Sequence, residues 1–279
     1  MSINTIKQQI KITNNNDDLN KIKDNVNKLI ENKNGNEEEL NDILQKINDK
    51  IQPHLPKILL DIKNYILERK IECSKYTVFD GRTNSCIDEN KIVSYLMSHS
   101  MLKERVRKAE KRFWYDIKVY DEEFGWIPVN IKTTTLQTAD NVGNMSICVQ
   151  AFTNIFMDME ERQNNGQLTT KLISRLKNKD YNDDFRKDYF FLVINKDDPR
   201  DIIVNSVLGI SNISPNVNNL PFQVKWINNS KYTLQNLHND PKECVKMRVL
   251  EHLRTMQKKS VKTWQEKFLS EFREMSLDD

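Results

Sequence analysis

The chain has 279 residues, 43 of them basic and 40 acidic, and a formal charge of +3 does not by itself point to a strongly charged partner. Hydrophobic residues make up 38% and the mean hydropathy is -0.70, so the core has to come from amphipathic segments; the longest apolar run, Tyr189 to Ile194, is far short of the roughly 18 residues of a membrane helix. Scattered cysteines (Cys73, Cys86, Cys148, Cys244) and histidines (His54, His99, His238, His252) form no CxxC, HxxxH or HExxH arrangement, and no secretory pattern opens the chain, so a cytoplasmic protein with reduced thiols and no zinc is expected.

Residues 1–75 read as a helical N-terminal region. Leu19, Ile22, Val26, Leu29 and Ile30 recur at three- and four-residue steps, as do Leu40, Ile43, Leu44, Ile47 and Ile51. Gly35 and Pro53 punctuate these segments, and Asp17 and Asp18 stand where they cap the first. A third helix carries Leu55, Ile58, Leu59, Ile62, Tyr65 and Ile66 toward Glu72. Such polar helices suit a dimerisation hairpin, an arm around DNA or packing for a core, and their sequence does not choose.

A second region, residues 76–279, begins at Tyr76 with an irregular approach to a helix whose apolar side is Ile92, Val93, Leu96 and Met97. Asp88 is placed to cap it, and Glu89 then falls in the first turn, where the helix dipole favours a carboxylate. Lys103 to Arg112, KERVRKAEKR, holds six basic and two acidic residues, a phosphate-contacting surface or a solvated helix face.

Phe113, Tyr115, Ile117 and Val119 alternate with Trp114, Asp116 and Lys118, the period of a half-buried strand. A second run puts Ile127, Val129 and Ile131 on one face and Pro128, Asn130 and Lys132 on the other. A five-residue loop from Asp121 to Gly125 pairs Tyr120 with Trp126 and therefore Asp116 with Asn130, with Lys132 one step further along that face. This register gathers a carboxylate, an amide and an amine on one side of a hairpin, and a slip of one residue undoes it.

After the polar loop Thr133 to Asn144, the residues Cys148, Val149, Phe152, Ile155, Phe156 and Met159 mark a helix. The segments YFFLVI, IIVNSVLGI and FQVKWI read as three more strands, and Met247, Leu250, Leu253, Met256, Val261, Trp264, Phe268 and Phe272 outline a long C-terminal helix. The implied class is α/β or α+β, a mixed sheet flanked by helices.

Hydrolysing a phosphodiester requires an activated water, a Lewis acid and support for the leaving alkoxide; carboxylate-bound magnesium beside a lysine supplies these. Glu89, Asp116 and Lys132 are that minimal set. No P-loop, GxGxxG or GxSxG pattern offers another chemistry.

In the order ENKIVSYL with Glu89, WYDIKV with Asp116, and PVNIKTTTLQTADN with Asn130 and Lys132, the chain resembles type II restriction endonucleases of the PD-(D/E)xK nuclease superfamily. The likeness spans roughly residues 76–160. Its NIK triplet is similar to the minority of these enzymes with Asn at the middle acidic position, and Tyr115 stands where the motif has Pro. The resemblance implies a restriction-endonuclease-like core that binds Mg2+ through Glu89, Asp116 and the Ile131 carbonyl, with Asn130 and Lys132 completing the catalytic set. It also implies DNA contacts from Thr133, Thr134, Gln137 and Asn141, and a homodimer cutting both strands of a short double-stranded site. A catalytically inactive DNA-binding protein on the same scaffold, for which Asn130 is suggestive, and a helical adaptor are the alternative readings.

Overall fold

The computed structural model describes residues 3–13, 16–32, 36–50, 53–69, 81–110, 113–163, 165–182, 184–214, 222–232 and 241–274. Gly35, Ile51, Glu72, Cys73, the approach beginning at Tyr76, Lys111, Arg112 and His238 lie outside these residues, as do the side chains of Trp264, Phe268 and Phe272. None of the described helices is long and apolar enough to cross a membrane.

The chain divides into Met1–His54 and Leu55–Asp279. In the first unit, α1 (Ile3–Ile12), α2 (Asn16–Glu31) and α3 (Glu37–Lys50) bury Ile6, Ile10, Leu19, Ile22, Val26, Leu40, Ile43 and Ile47, which follow the helical period. Since α2 begins at Asn16, Asp17 and Asp18 lie within its first turn instead of capping it.

The helical pattern of the sequence sets the boundary at residue 75, and it falls earlier because α4 (Lys57–Arg69) packs on the sheet of the second unit. Ile58, Leu59, Ile62 and Ile66 are buried with sheet residues. The Asp121 carboxylate reaches from the sheet to accept the Ile58 N–H at 3.0 Å, capping the α4 N-terminus.

Five strands, β1 (Val106–Lys108), β2 (Ile117–Asp121), β3 (Gly125–Thr134), β5 (Phe190–Asn195) and β6 (Ile202–Ser206), form a mixed sheet in the order β1-β2-β3-β5-β6. β3 and β5 run parallel and the other neighbours antiparallel. One face, with Ile117, Val119, Ile127, Val129 and Ile131, packs with α4 and with Ile92, Val93 and Leu96 of α5 (Gly81–Ser98). The other, with Phe191, Val193 and Ile203, packs with α6 (Met145–Thr153), α8 (Asn165–Lys177) and α9 (Pro241–Glu274). Each fully buried aliphatic side chain contributes roughly 1.5–3 kcal/mol. β4 (Ala139–Asn141) and β7 (Gln223–Lys225) make a separate two-stranded sheet.

Several expected elements differ. α5 begins at Gly81, so Asp88 is no cap: it is 1% exposed within the helix and pairs with Lys91 at 3.6 Å, and Glu89 lies mid-helix. The basic stretch supplies β1 because Val106 is drawn into the core while Arg107 and Lys108 stay exposed. α6 stops at Asn154, which takes a left-handed conformation (φ 55°) and donates its N–H to Gln150, so Phe156 is left 54% exposed and α7 (Met159–Gln163) starts separately. On α9 the buried positions among the described side chains are Lys242, Val245, Val249 and His252, while Met247 and Val261 are exposed.

The β2–β3 hairpin keeps the expected register, Tyr120 opposite Trp126, through a tighter turn. Asp121 pairs with Gly125, whose φ of 68° suits a residue without a Cβ, leaving a three-residue loop. The Asp121 carboxylate accepts the N–H groups of Glu123 and Phe124 inside that loop.

The register does not continue to Asp116. Ile117 is the partner of Val129, yet the Asp116 N–H also donates to the Val129 carbonyl at 3.1 Å. Two residues of one chain segment thus stand against one of β3, a β-bulge. Alternation is broken there: Ile117 and Val119 pack on the α4–α5 side, and Tyr115 packs on the α6–α8 side. The expected Asp116–Asn130 pair is therefore not formed.

Candidate active site

β3 is longer than β2, and its uncovered edge is closed by side chains. The odd residues of β3 turn their N–H and C=O toward β2; beyond Val129 the next two such N–H groups belong to Ile131 and Thr133. Asp116 Oδ2 accepts the first at 2.7 Å, and Glu89 Oε1 accepts the second at 3.3 Å. The two anchoring positions are about 7 Å apart along the strand. The Ile131 carbonyl, turned to the same edge as its N–H, lies between them. Bulge and helix thus deliver one carboxylate each to adjacent sites on a rigid strand.

α5 is fixed there by more than Glu89. Ser85, one turn earlier, donates its hydroxyl to the Thr133 carbonyl at 3.0 Å, and the Thr133 hydroxyl donates to the Ser85 carbonyl at 3.3 Å. Lys196 donates to the Ser85 hydroxyl at 2.8 Å. Thr133 is 2% exposed and acts as a strut between α5 and β3, which withdraws it from the set expected to touch a phosphate.

Lys132 lies between Ile131 and Thr133, and its Nζ is 3.9 Å from Asp140 Oδ1 on β4. Asp140 is held in turn by the Trp226 indole, whose Nε1 donates to Oδ2 at 3.2 Å. In the sequence Asp140 is one more residue of a polar loop, and the only trace of its role is an acid eight residues after the lysine. Burial pushes the Glu89 carboxyl up to about 7; Lys132 and the Thr133 N–H oppose that rise, while Asp116 and Asp140 add to it. Burial also raises Asp116, against the Ile131 N–H and Lys132. Glu89, Asp116, Asp140 and Lys132 therefore form one electrostatic cluster. Nearby Cys148 is fully buried, and its thiol, pushed up to about 12, is a neutral packing group.

The remaining candidates are dispersed. Asn130 is 8% exposed, shares no hydrogen bond with Glu89, Asp116 or Lys132, and lies beside the buried Tyr189 hydroxyl, which donates to the Trp114 carbonyl at 2.8 Å. Its Oδ1 has no hydrogen-bond partner among the described residues. Thr134 donates to the Thr135 carbonyl at 3.3 Å, and Asn141 accepts from Gln223 at 2.9 Å. Gln137 is exposed in the turn between β3 and β4.

Among the described residues, no three His, Cys, Asp or Glu side chains come together as a metal cage. The edge nevertheless fits a hard cation that takes few protein ligands and keeps its waters. Glu89 and Asp116 each leave one carboxylate oxygen without a hydrogen bond among the described residues, and the Ile131 carbonyl supplies a third oxygen. Lys132 only partly offsets the burial that raises both carboxyls, and such a cation would add counter-charge there. Asn130 is not part of that donor set.

No protein-family model, curated protein or solved structure matches the chain.

Proposed function

We propose that the chain is a magnesium-dependent endonuclease acting on double-stranded DNA, with a restriction-endonuclease-like core. The observation that carries this reading is the pair of carboxylates, Asp116 and Glu89, bound to alternate N–H groups of β3 on either side of Lys132. Two carboxylates, a peptide carbonyl and a lysine on a rigid edge make a donor set suited to phosphodiester hydrolysis.

Glu89, Asp116 and the Ile131 carbonyl would hold Mg2+. The ion, when bound, supplies a Lewis acid for a phosphate oxygen and lowers the pKa of a water. The protein's own contribution is positional and electrostatic. The Ile131 N–H fixes Asp116, the Thr133 N–H and α5 fix Glu89, and the β3 backbone fixes the base of Lys132. The Lys132 ammonium orients the attacking water and offsets negative charge that grows on the phosphate oxygens. Asp140, itself tied to Trp226, holds that ammonium near the edge.

Cutting both strands of a symmetric site fits a homodimer, since the protein two-fold then matches that of the DNA. The test is incubation of purified protein with mixed-sequence duplex DNA and magnesium. Discrete fragments that disappear on adding EDTA support the reading; binding without cutting favours an inactive DNA-binding protein, and neither binding nor cutting rejects both.

A further inference from the structure

Arg107 on β1 and Lys118 on β2 are register partners, directly opposite one another on one face. Like charges in that arrangement destabilise a strand pair. Among the described residues, neither cation has a carboxylate within 4.0 Å. An edge cation that discourages strand addition accounts for Arg107, but not for Lys118, which lies inside the sheet.

The pair is also held in place without using its N–H donors. The Arg107 guanidinium carbon is 4.1 Å from the centroid of the Trp126 ring, and Trp126 is the cross-strand partner of Tyr120, with ring centroids 5.5 Å apart. Lys118 Nζ is 5.5 Å from the Tyr115 ring centroid. Aromatic support of this kind restricts a cation and leaves its hydrogen-bonding edge open. Arg107 and Tyr120 are exposed, and Lys118 lies two residues, about 7 Å, along the chain from Asp116.

We propose that Arg107 and Lys118 together bind the phosphate backbone of DNA beside the Asp116 edge, an interaction that explains why two cations with no carboxylate partner among the described residues face each other there. The assignment of DNA as the polyanion rests on the nuclease reading above.

The test measures equilibrium binding of mixed-sequence duplex DNA at increasing salt, with calcium replacing magnesium so that the duplex stays intact. Removing one cation–phosphate interaction lowers the slope of log affinity against log salt by about 0.9. Arg107→Gln with Lys118→Gln should lower the slope by about two and weaken binding at least tenfold, whereas Arg107→Lys with Lys118→Arg should keep the slope. If the double neutral variant melts early, Lys118→Gln alone should lower the slope by about one. An unchanged slope in a folded variant overturns the proposal, as does a wild-type protein that binds no DNA. A wild-type protein that binds with this Arg107- and Lys118-dependent slope but never cuts with magnesium upholds the proposal and removes the nuclease reading.

Discussion

Asp116 accepts the Ile131 N–H at 2.7 Å although the two residues are not strand partners. The bulge opposite Val129 takes Asp116 out of the pairing register while its N–H still bonds the Val129 carbonyl, and its side chain, not its backbone, meets the Ile131 N–H. A carboxylate bound in this way is fixed one residue before Lys132 and still presents a second oxygen.

The two roles of Asp116 separate by substitution. Asp116→Asn keeps an acceptor for the Ile131 N–H and removes the charge, whereas Asp116→Ala removes both. Cleavage should fall at least 100-fold in each. The alanine variant should be less stable than the asparagine variant by roughly 1–3 kcal/mol, the penalty for orphaning a buried donor. Urea unfolding with a magnesium-dependent cleavage assay checks this; equal stability of the two variants contradicts the edge-capping role.

Glu89 makes stability depend on pH. Its folded value of about 7 lies above the ordinary 4.5, so the folded protein holds that proton more tightly. The resulting stabilisation is complete below about pH 4.5 and is lost as pH rises through about 7, on the order of 3 kcal/mol in all. Glu89→Gln should flatten the wild-type decline in unfolding free energy between pH 5 and 8. Magnesium at neutral pH should raise the melting temperature of wild type but not of Glu89→Gln, because the ion competes with the proton. Parallel pH profiles for the two proteins contradict this environment for Glu89.

The part of this site legible in the sequence is the part set by local pattern. Period-two alternation and a turn with Gly125 fix the Tyr120–Trp126 register, and the same alternation places Lys132. The bulge at Asp116 was not legible, because FWYDIKVY continues the alternation without a break while tertiary packing sends Tyr115 and Ile117 to opposite faces. Asp140 was hidden because its partners, Lys132 and Trp226, are distant in sequence. Asn130 reads as a site residue from the NIK triplet and from an unbroken hairpin register opposite Asp116, but the bulge removes that pairing and the fold places it beside Tyr189.

Asn130→Asp should therefore act as an unfavourable buried charge. Its position is 8% exposed and beside the buried Tyr189 hydroxyl, where burial opposes a carboxylate's charge. The variant should melt several degrees lower than wild type, corresponding to about 1–3 kcal/mol, with no gain in cleavage. A variant that is both more active and equally stable contradicts the placement of Asn130 outside the donor set.

Lys242 and Asp188 form an ion pair at 3.4 Å, 2% and 1% exposed, at the start of α9. Asp188 also accepts the Leu208 N–H at 3.0 Å. Lys242→Met strands the carboxylate in the interior and should cost about 3–5 kcal/mol, read by denaturant unfolding. A loss below about 1 kcal/mol contradicts the buried pair.

Lys132 carries the central claim, because its charge rather than its packing is proposed to act on the phosphate. Lys132→Met keeps the aliphatic stem and should leave the melting curve near that of wild type. The decisive measurement is single-turnover cleavage of duplex DNA at saturating protein and magnesium. The Lys132→Met rate should fall on the order of 100- to 1000-fold, with DNA affinity falling far less. A folded Lys132→Met protein that cuts within about threefold of wild type, a difference of only about 0.65 kcal/mol in barrier, contradicts the central claim.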